Sequence, residues 1–568
     1  LHKSENSTID SKQWRQFACH WLLCSAKEKI MESKKKEVLI VGGGSAGWMT
    51  AAYLSKALGP DVNISLVESA TIGTVGVGEA TFSTIHLFFK FLGLQEEDWM
   101  PACNASYKLA IKFKDWNAER RHFYHPFQRY DVVQGHNVVD WWLKLCSEQR
   151  FDETCFVIPA ICETQRSPRY MDGQVYDAQF AKEVADNPND PCLLRELKVQ
   201  YPYGYHFDAS LIAKFMAKYA KDRGVREIVD EVDDVVLALD GSIRGVQTRK
   251  HGFIDADLFV DCTGFRGLLI NQALREPFIS FSESLLCDRA VAMQVPSDQA
   301  SEGINPYTSA TALSSGWVWN IPLFHRIGTG YVYSSAFITP EQAEQEFREH
   351  LGGRAEGCKA NHIKMRIGRN RNSWVKNCVA IGLSSGFVEP LESTGIFFIQ
   401  HAIEELVNHF PGNDPATIKS YNKAIAGCID GVRDFLVLHY YASTRTDSAF
   451  WQATKKEIKL PDNLAEGLEL WKRRLPTNRT INPQFHGFEA YSYSVMLLGL
   501  GFRPAESLPI LNYYDGAAAA LKQFESTKRR AKYLVATLPS AYEYLASRYQ
   551  DAGTRQEPHY KVHASPVA

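Results

Sequence analysis

The sequence predicts an α/β protein: a parallel sheet built on one strand, glycine turn and helix unit, carrying inserted antiparallel strands and followed by a mainly helical C-terminal region. Three observations predict it. Residues 37–48 read EVLIVGGGSAGW, where the apolar run Val38-Leu39-Ile40-Val41 passes directly into Gly42-x-Gly44-x-x-Gly47 and a helical stretch, MTAAYLSKAL. Two later segments, DADLFVDCTGFRG (255–267) and NCVAIGLSSGF (377–387), again read as strands entering glycine turns. Beyond residue 427, patterns such as GVRDFLVLHYYAS and TKRRAKYLVATL have helical spacing.

The first unit carries the most information. A GxGxxG alone is weak, but this one lies between strand and helix, and a second β pattern, residues 63–67, ends in Glu68. That acid follows Gly47 by 21 residues, where a ribose-binding carboxylate is expected. Gly42 permits the tight turn, Gly44 lets a pyrophosphate approach the backbone, Ser45 and Ala46 open the helix, and Gly47 allows close packing of helix on strand. One such unit with two later strand–glycine returns and long insertions resembles the flavoprotein monooxygenase architecture, which favours FAD over NAD. The sequence shows no second complete GxGxxG for a nicotinamide, so a separate NAD(P)H-dependent flavin reductase is expected to supply reduced flavin.

Composition bounds the remaining choices. With 568 residues, 45% apolar content, and 63 basic against 65 acidic side chains, the chain is an ordinary globular protein, and disorder, collagen and coiled-coil rods are excluded. A net charge of −2 lacks the footprint of a nucleic-acid binder. No apolar run approaches the ~20 residues of a membrane span. Twelve cysteines without a CxxC pair or a Cys/His grouping point to free thiols in a cytoplasmic protein, with no metal site. Residues 1–35, with Met31 opening MESKKKEVLIVGGG, read as a non-native or disordered extension, and residues 549–568 as a flexible tail. Between them, residues 36–427 are expected to form the cofactor module and 428–548 a helical substrate cap.

Residues 314–322 read SSGWVWNIP. The pair Trp317 and Trp319 followed by Ile321-Pro322 resembles the WxWxIP signature of flavin-dependent halogenases. The likeness extends through GVGEATFS (76–83), NASYKLAIKF (104–113), FYHPF (123–127), YHFDA (205–209), EPLESTGIFFIQHAIE (389–404) and HGFEAYSY (486–493). It covers nearly everything from Val38 to about Arg548 and looks closest to the tryptophan 5-halogenase type. The pattern departs from that type at Leu197 and Ala490.

In KLAIKFKDW the alternation of Leu109, Ile111 and Phe113 with Lys108, Ala110, Lys112 and Lys114 predicts one half-buried strand whose lysines face solvent. Nothing local separates Lys108 from Lys112. The resemblance does, since the essential halogenase lysine follows N-x-x-aromatic, as in Asn104-Ala105-Ser106-Tyr107-Lys108. It implies that reduced FAD, O2 and chloride or bromide give a flavin hydroperoxide and then hypohalous acid, and that Lys108 presents electrophilic halogen to one carbon. Ser393-Thr394-Gly395 at a helix entrance offers free backbone N–H groups, and by resemblance Thr394 and Gly395 bind chloride. Glu392 is the matching catalytic acid, and Glu389 has a structural or flavin-side role. Trp317 and Trp319 would separate flavin from substrate. Further flavin contacts fall on Ile72, Val77, Ala80, Val232, Leu383 and Ile396. The implied substrate pocket comprises Phe82, Ser83, His125, Pro126, Phe127, Gln200, Tyr203, Phe488, Glu489 and Tyr491, with Glu489 binding the indole N–H or the ammonium. The expected reaction is halogenation of tryptophan at C5, with a homodimer left open. The alternatives are a halogenase of another indole, a phenol or a peptide-borne tryptophan, and a hydroxylating FAD monooxygenase.

Overall fold

The computed structural model describes residues 35–71, 78–175, 203–412 and 414–553. Ile72, Val77, Leu197 and Gln200, the leading extension up to residue 34 and the last fifteen residues of the expected tail lie outside the described residues.

The strand β1 (Lys36–Val41) pairs in parallel with β2 (Val62–Glu68), and the helix α1 (Ser45–Ala57) connects them. Parallel pairing continues to β3 (Arg226–Val229) beyond β2, and to β4 (Leu258–Asp261) on the other side of β1. At the far edge β5 (Trp374–Val375) turns back antiparallel on β6 (Cys378–Ala380), giving the order β3-β2-β1-β4-β6-β5. A parallel sheet is covered on both faces, which is why β1 reads as an unbroken apolar run. Val38 and Ile40 join Trp48 and Leu54 on one face, while Leu39 and Val41 meet Phe259 and Ile270 on the other.

The expected inserted sheet has seven strands, in the order 361–364, 289–296, 326–333, 316–322, 307–312, 110–114 and 122–126. All its pairings are antiparallel except that of Tyr307–Ala312 with Ala110–Lys114. A small sheet of Glu79–Ala80, Gly204–Phe207 and Ser106–Lys108 lies beside it.

Here one expectation is corrected. The KLAIKFKDW segment is not one strand with a solvated lysine face. It breaks at Leu109, whose N–H donates to the Pro306 carbonyl (2.7 Å), so that Lys108 ends a strand of the small sheet and Ala110 opens one of the large sheet. Lys108 is 0% and Lys112 7% exposed. A period of two reports which residues share a face, and other layers of the protein cover both faces here.

The helices α2 (Gly395–His409) and α3 (Pro415–Ala442) begin a run of helices that continues to residue 553. The Asp414 side chain caps α3 by accepting from the Ala416 and Thr417 N–H groups. The boundary expected at 427/428 falls inside α3, and the long helix Ala517–Thr537 packs on short helices between residues 138 and 163, so the helical layer draws on both halves of the chain. No helix among the described residues is long and apolar enough to cross a membrane.

Candidate active site

A cavity of about 640 Å³ opens where the C-terminal ends of β1, β2, β4 and β6 meet α1. Crevices of this kind are where open α/β sheets bind nucleotides. Gly42 makes the turn possible: its φ is +111°, and a Cβ there would stand 2.3 Å from the Cys262 carbonyl oxygen following β4. A Cβ on Gly47 would stand 1.8 Å from the Gly42 carbonyl oxygen. Gly44 borders open space and, with Ser45 and Ala46, presents the N-terminus of α1 to the cavity.

Glu68 lies against Gly43 and accepts from Trp48 Nε1 (3.2 Å), and burial together with the neighbouring Glu227 lifts its carboxyl to about 7. Ala80, Val232, Leu383 and Ile396 line the same space, as do Trp319 and Phe387. A polar end with free amides and a carboxyl, and an opposite end of apolar and aromatic walls, fit the phosphates, ribose and flat ring of FAD.

The segment from Pro390 to Phe397 partitions the interior. Pro390, Ser393, Gly395 and Ile396 face the cavity, and Ser393 takes a left-handed turn (φ +61°) that brings Thr394 to the N-cap of α2. The Thr394 hydroxyl is buried and finds no partner among the described residues. Glu392 and Phe397 belong to the other side. There the Phe82 ring stacks on Phe397 (4.9 Å between centroids) and meets Phe488 (5.2 Å) and Phe127 (6.4 Å) at steep angles. His125 approaches Phe488 and Tyr491, with buried Pro126 beside it and half-buried Ser83 following Phe82.

Lys108 reaches this aromatic group. Its Nζ donates to the Thr81 carbonyl (3.3 Å) and lies 5.0 Å from the centre of the Phe127 ring. Burial lowers its pKa from 10.5 to about 7, and the Glu392 charge offsets only part of that shift. Lys112, by contrast, pairs with the Glu163 carboxylate at 2.6 Å. The structure thus separates two lysines that the sequence pattern leaves equivalent.

Burial alone would raise Glu392, but the charge and hydrogen bond of His125 (3.0 Å), followed by the hydrogen bond and charge of His439 (2.7 Å), outweigh it and hold the carboxyl at about 2. Glu389 is different. It accepts from Trp317 Nε1 (3.0 Å) and from the Tyr440 hydroxyl, yet burial still lifts it to about 7.

Three site expectations change. Trp317 does not line the cavity but is sunk behind Trp319, locked by its bond to Glu389. Tyr203 is fully buried among His86, Tyr107 and Tyr205, its hydroxyl held between Arg169 (2.7 Å) and Glu96 (3.1 Å), away from the aromatic group. Glu489 is bound by Arg129 at a half-exposed position, so its carboxylate already has a cation. In each case a polar atom meets a stronger partner from a distant part of the chain. His439 was not among the expected residues. It sits in α3, where Phe435, four residues earlier, meets it by both its carbonyl and its ring.

The family model described as tryptophan halogenase matches residues 37–515. The tryptophan 6-halogenase SttH of Streptomyces toxytricini is 53% identical over 519 residues, covering 90% of this chain and 98% of that protein. Its crystal structure matches with a TM-score of 0.86, over 90% of this chain and 100% of that one. KtzR of Kutzneria sp. (strain 744), a 7-chloro-L-tryptophan 6-halogenase, is also 53% identical, over 90% of this chain and 99% of its own length. MibH, titled a lathipeptide tryptophan 5-halogenase, is 28% identical with a TM-score of 0.77, over 91% of this chain and 94% of that one. The chain is thus more similar to these two 6-halogenases than to that 5-halogenase, contrary to the expected type. The chain belongs to the tryptophan halogenase family of flavin-dependent enzymes.

Proposed function

We propose that the enzyme chlorinates or brominates tryptophan at C6 of the indole. The observation that carries the chemistry is the buried Lys108 beside Glu392, across the partition from the flavin cavity. The ring position rests on SttH and KtzR, and it replaces the C5 expectation.

Reduced FAD, when bound, would activate O2, the oxidant that turns halide into hypohalous acid. Gly42, Gly44, Ser45, Ala46 and Glu68 hold the nucleotide end, with Ala80, Val232, Leu383 and Ile396 along its walls. The amides of Thr394 and Gly395 bind halide at the start of α2. Lys108 hydrogen-bonds the hypohalous acid and fixes the direction of the electrophilic halogen, since the free acid in water would not be regioselective. With a pKa near 7, the lysine exchanges between ammonium and amine at neutral pH. Phe82, Phe127, Phe488 and Tyr491 clasp the indole, and Glu392 accepts the ring proton. Electrons reach the flavin from a separate NAD(P)H-dependent reductase.

The test supplies reduced FAD, O2, chloride or bromide, and either tryptophan or 7-chlorotryptophan, and assigns the product by NMR. The 6-halogenated ring is expected. A 5-halogenated product would overturn the ring position alone, and faster turnover of 7-chlorotryptophan would move the substrate toward that of KtzR.

A further inference from the structure

Two histidines hold Glu392, and their ring nitrogens are not equivalent. His125 offers Nδ1 to both carboxylate oxygens (3.0 Å each), while its Nε2 has no partner among the described residues. A proton on Nδ1 satisfies that arrangement. His439 cannot be satisfied in the same way. Its Nδ1 lies 2.7 Å from the Phe435 carbonyl, which only accepts, so Nδ1 must carry a proton. Its Nε2 lies 2.7 Å from Glu392 Oε1, and two lone pairs cannot face each other at that distance. A second proton therefore occupies the gap, either on Nε2 against a carboxylate or on Glu392 against a neutral ring. Both side chains are at most 1% exposed, so water cannot take the place of that proton.

We infer that His439 is a positioning residue that keeps one exchangeable proton in the Glu392–His439 pair, which lends it to the departing oxygen of hypohalous acid and recovers it from the indole ring. This rests on the reading of Glu392 given above and adds the residue that loads it.

The balance closes on one proton. The ring carbon gives its π pair to the halogen, and the halogen–oxygen bond breaks with its pair going to oxygen. The pair's proton, passed through Glu392, turns that oxygen into water. Glu392, now bare, takes the proton from the halogenated carbon, and the C–H electrons restore the aromatic ring. The sum is C–H plus hypohalous acid to C–halogen plus water, with the pair as it began.

The surroundings suit a returning proton. Phe113, Trp116 and Phe435 pack their rings around His439, leaving Glu392 as its exchange partner. Among the described residues, Lys108 and Tyr491 also feel the Glu392 charge, and burial pushes the Tyr491 hydroxyl up to about 12, out of the working range.

His439→Gln keeps a donor toward Glu392 but carries no exchangeable acid proton. It is expected to lower kcat for halogenation about 10²-fold and to change KM for tryptophan less than about twofold. Glu392→Gln/His439→Gln should be no slower than Glu392→Gln alone, because the two act as a unit. Wild-type kcat in His439→Gln, or losses that multiply in the double variant, would overturn the inference. Full activity in Glu392→Gln would instead remove the underlying reading of Glu392. If His439→Gln does not fold, the wild type decides: single-turnover halogenation should run about twofold slower in D2O, and equal rates in H2O and D2O would overturn the proposal.

Discussion

Lys108→Ala is expected to lower halotryptophan formation by more than about 10³-fold while reduced flavin is still consumed in the presence of O2 and halide. Product yield by mass spectrometry and flavin absorbance separate the two. Lys108 ends a short strand and reaches into the aromatic group from the side opposite the nucleotide cavity, so its loss leaves every residue lining that cavity in place. Loss of both activities would contradict the role proposed for it.

The same lysine sets a pH dependence. Its amine form grows as pH rises through about 7, while Glu392 stays ionised down to about 2, so a bend in the halogenation profile near neutrality reports Lys108 and not Glu392. Stability carries the complementary sign. Folding depresses the lysine pKa, so between about 7 and the ordinary 10.5 the unfolded chain binds more protons, and stability rises with pH across that window. Below it the cost of burying the charge is felt in full. Lys108→Met should therefore raise Tm by on the order of 2–4 °C near neutrality, with the gain shrinking toward alkaline pH in calorimetry. A Tm difference independent of pH would show that Lys108 is buried at no electrostatic cost.

Gly42→Val is expected to weaken FAD binding by at least about 100-fold, or to prevent folding of the parallel sheet. Two penalties coincide. The φ of +111° is unfavourable for a β-branched residue, and the added Cβ would overlap the Cys262 carbonyl at 2.3 Å. Neither can relax alone, because Cys262 is pinned by its N–H donating to the Val41 carbonyl (2.8 Å), and Gly42 by its own N–H donating to Val67 (2.8 Å). Flavin fluorescence quenching measures the affinity. Gly44→Ala, whose Cβ meets no protein atom, should leave the fold intact and weaken binding only where the cofactor itself approaches.

How much of the site could be read in advance follows from how local each constraint is. The cofactor turn was legible because its requirements lie within a few residues: an apolar strand, three glycines, a helix start, and an acid at the end of the next strand. Thr394 and Gly395 were legible as a helix entrance for the same reason. Lys108 was singled out by family likeness, not by its pattern, since periodicity gives Lys108 and Lys112 the same face. The difference between them lies in Glu163, which is 51 positions from Lys112. Tyr203, Glu489 and Trp317 were misplaced because Arg169, Arg129 and Glu389 claim their polar atoms across the fold.

The sequence by itself determined the α/β class, the dinucleotide turn and the halogenase family, because these rest on short-range backbone geometry and on motifs written in consecutive residues. Only the tertiary structure decided how far apart in acidity two neighbouring carboxyls lie. Glu389 and Glu392 stand three residues apart and are equally buried, yet the first meets a phenol and an indole and sits near 7, while the second meets two imidazoles and sits near 2. Charge in a low-dielectric interior is set by partners, and those partners come from elements that meet only when the chain has folded.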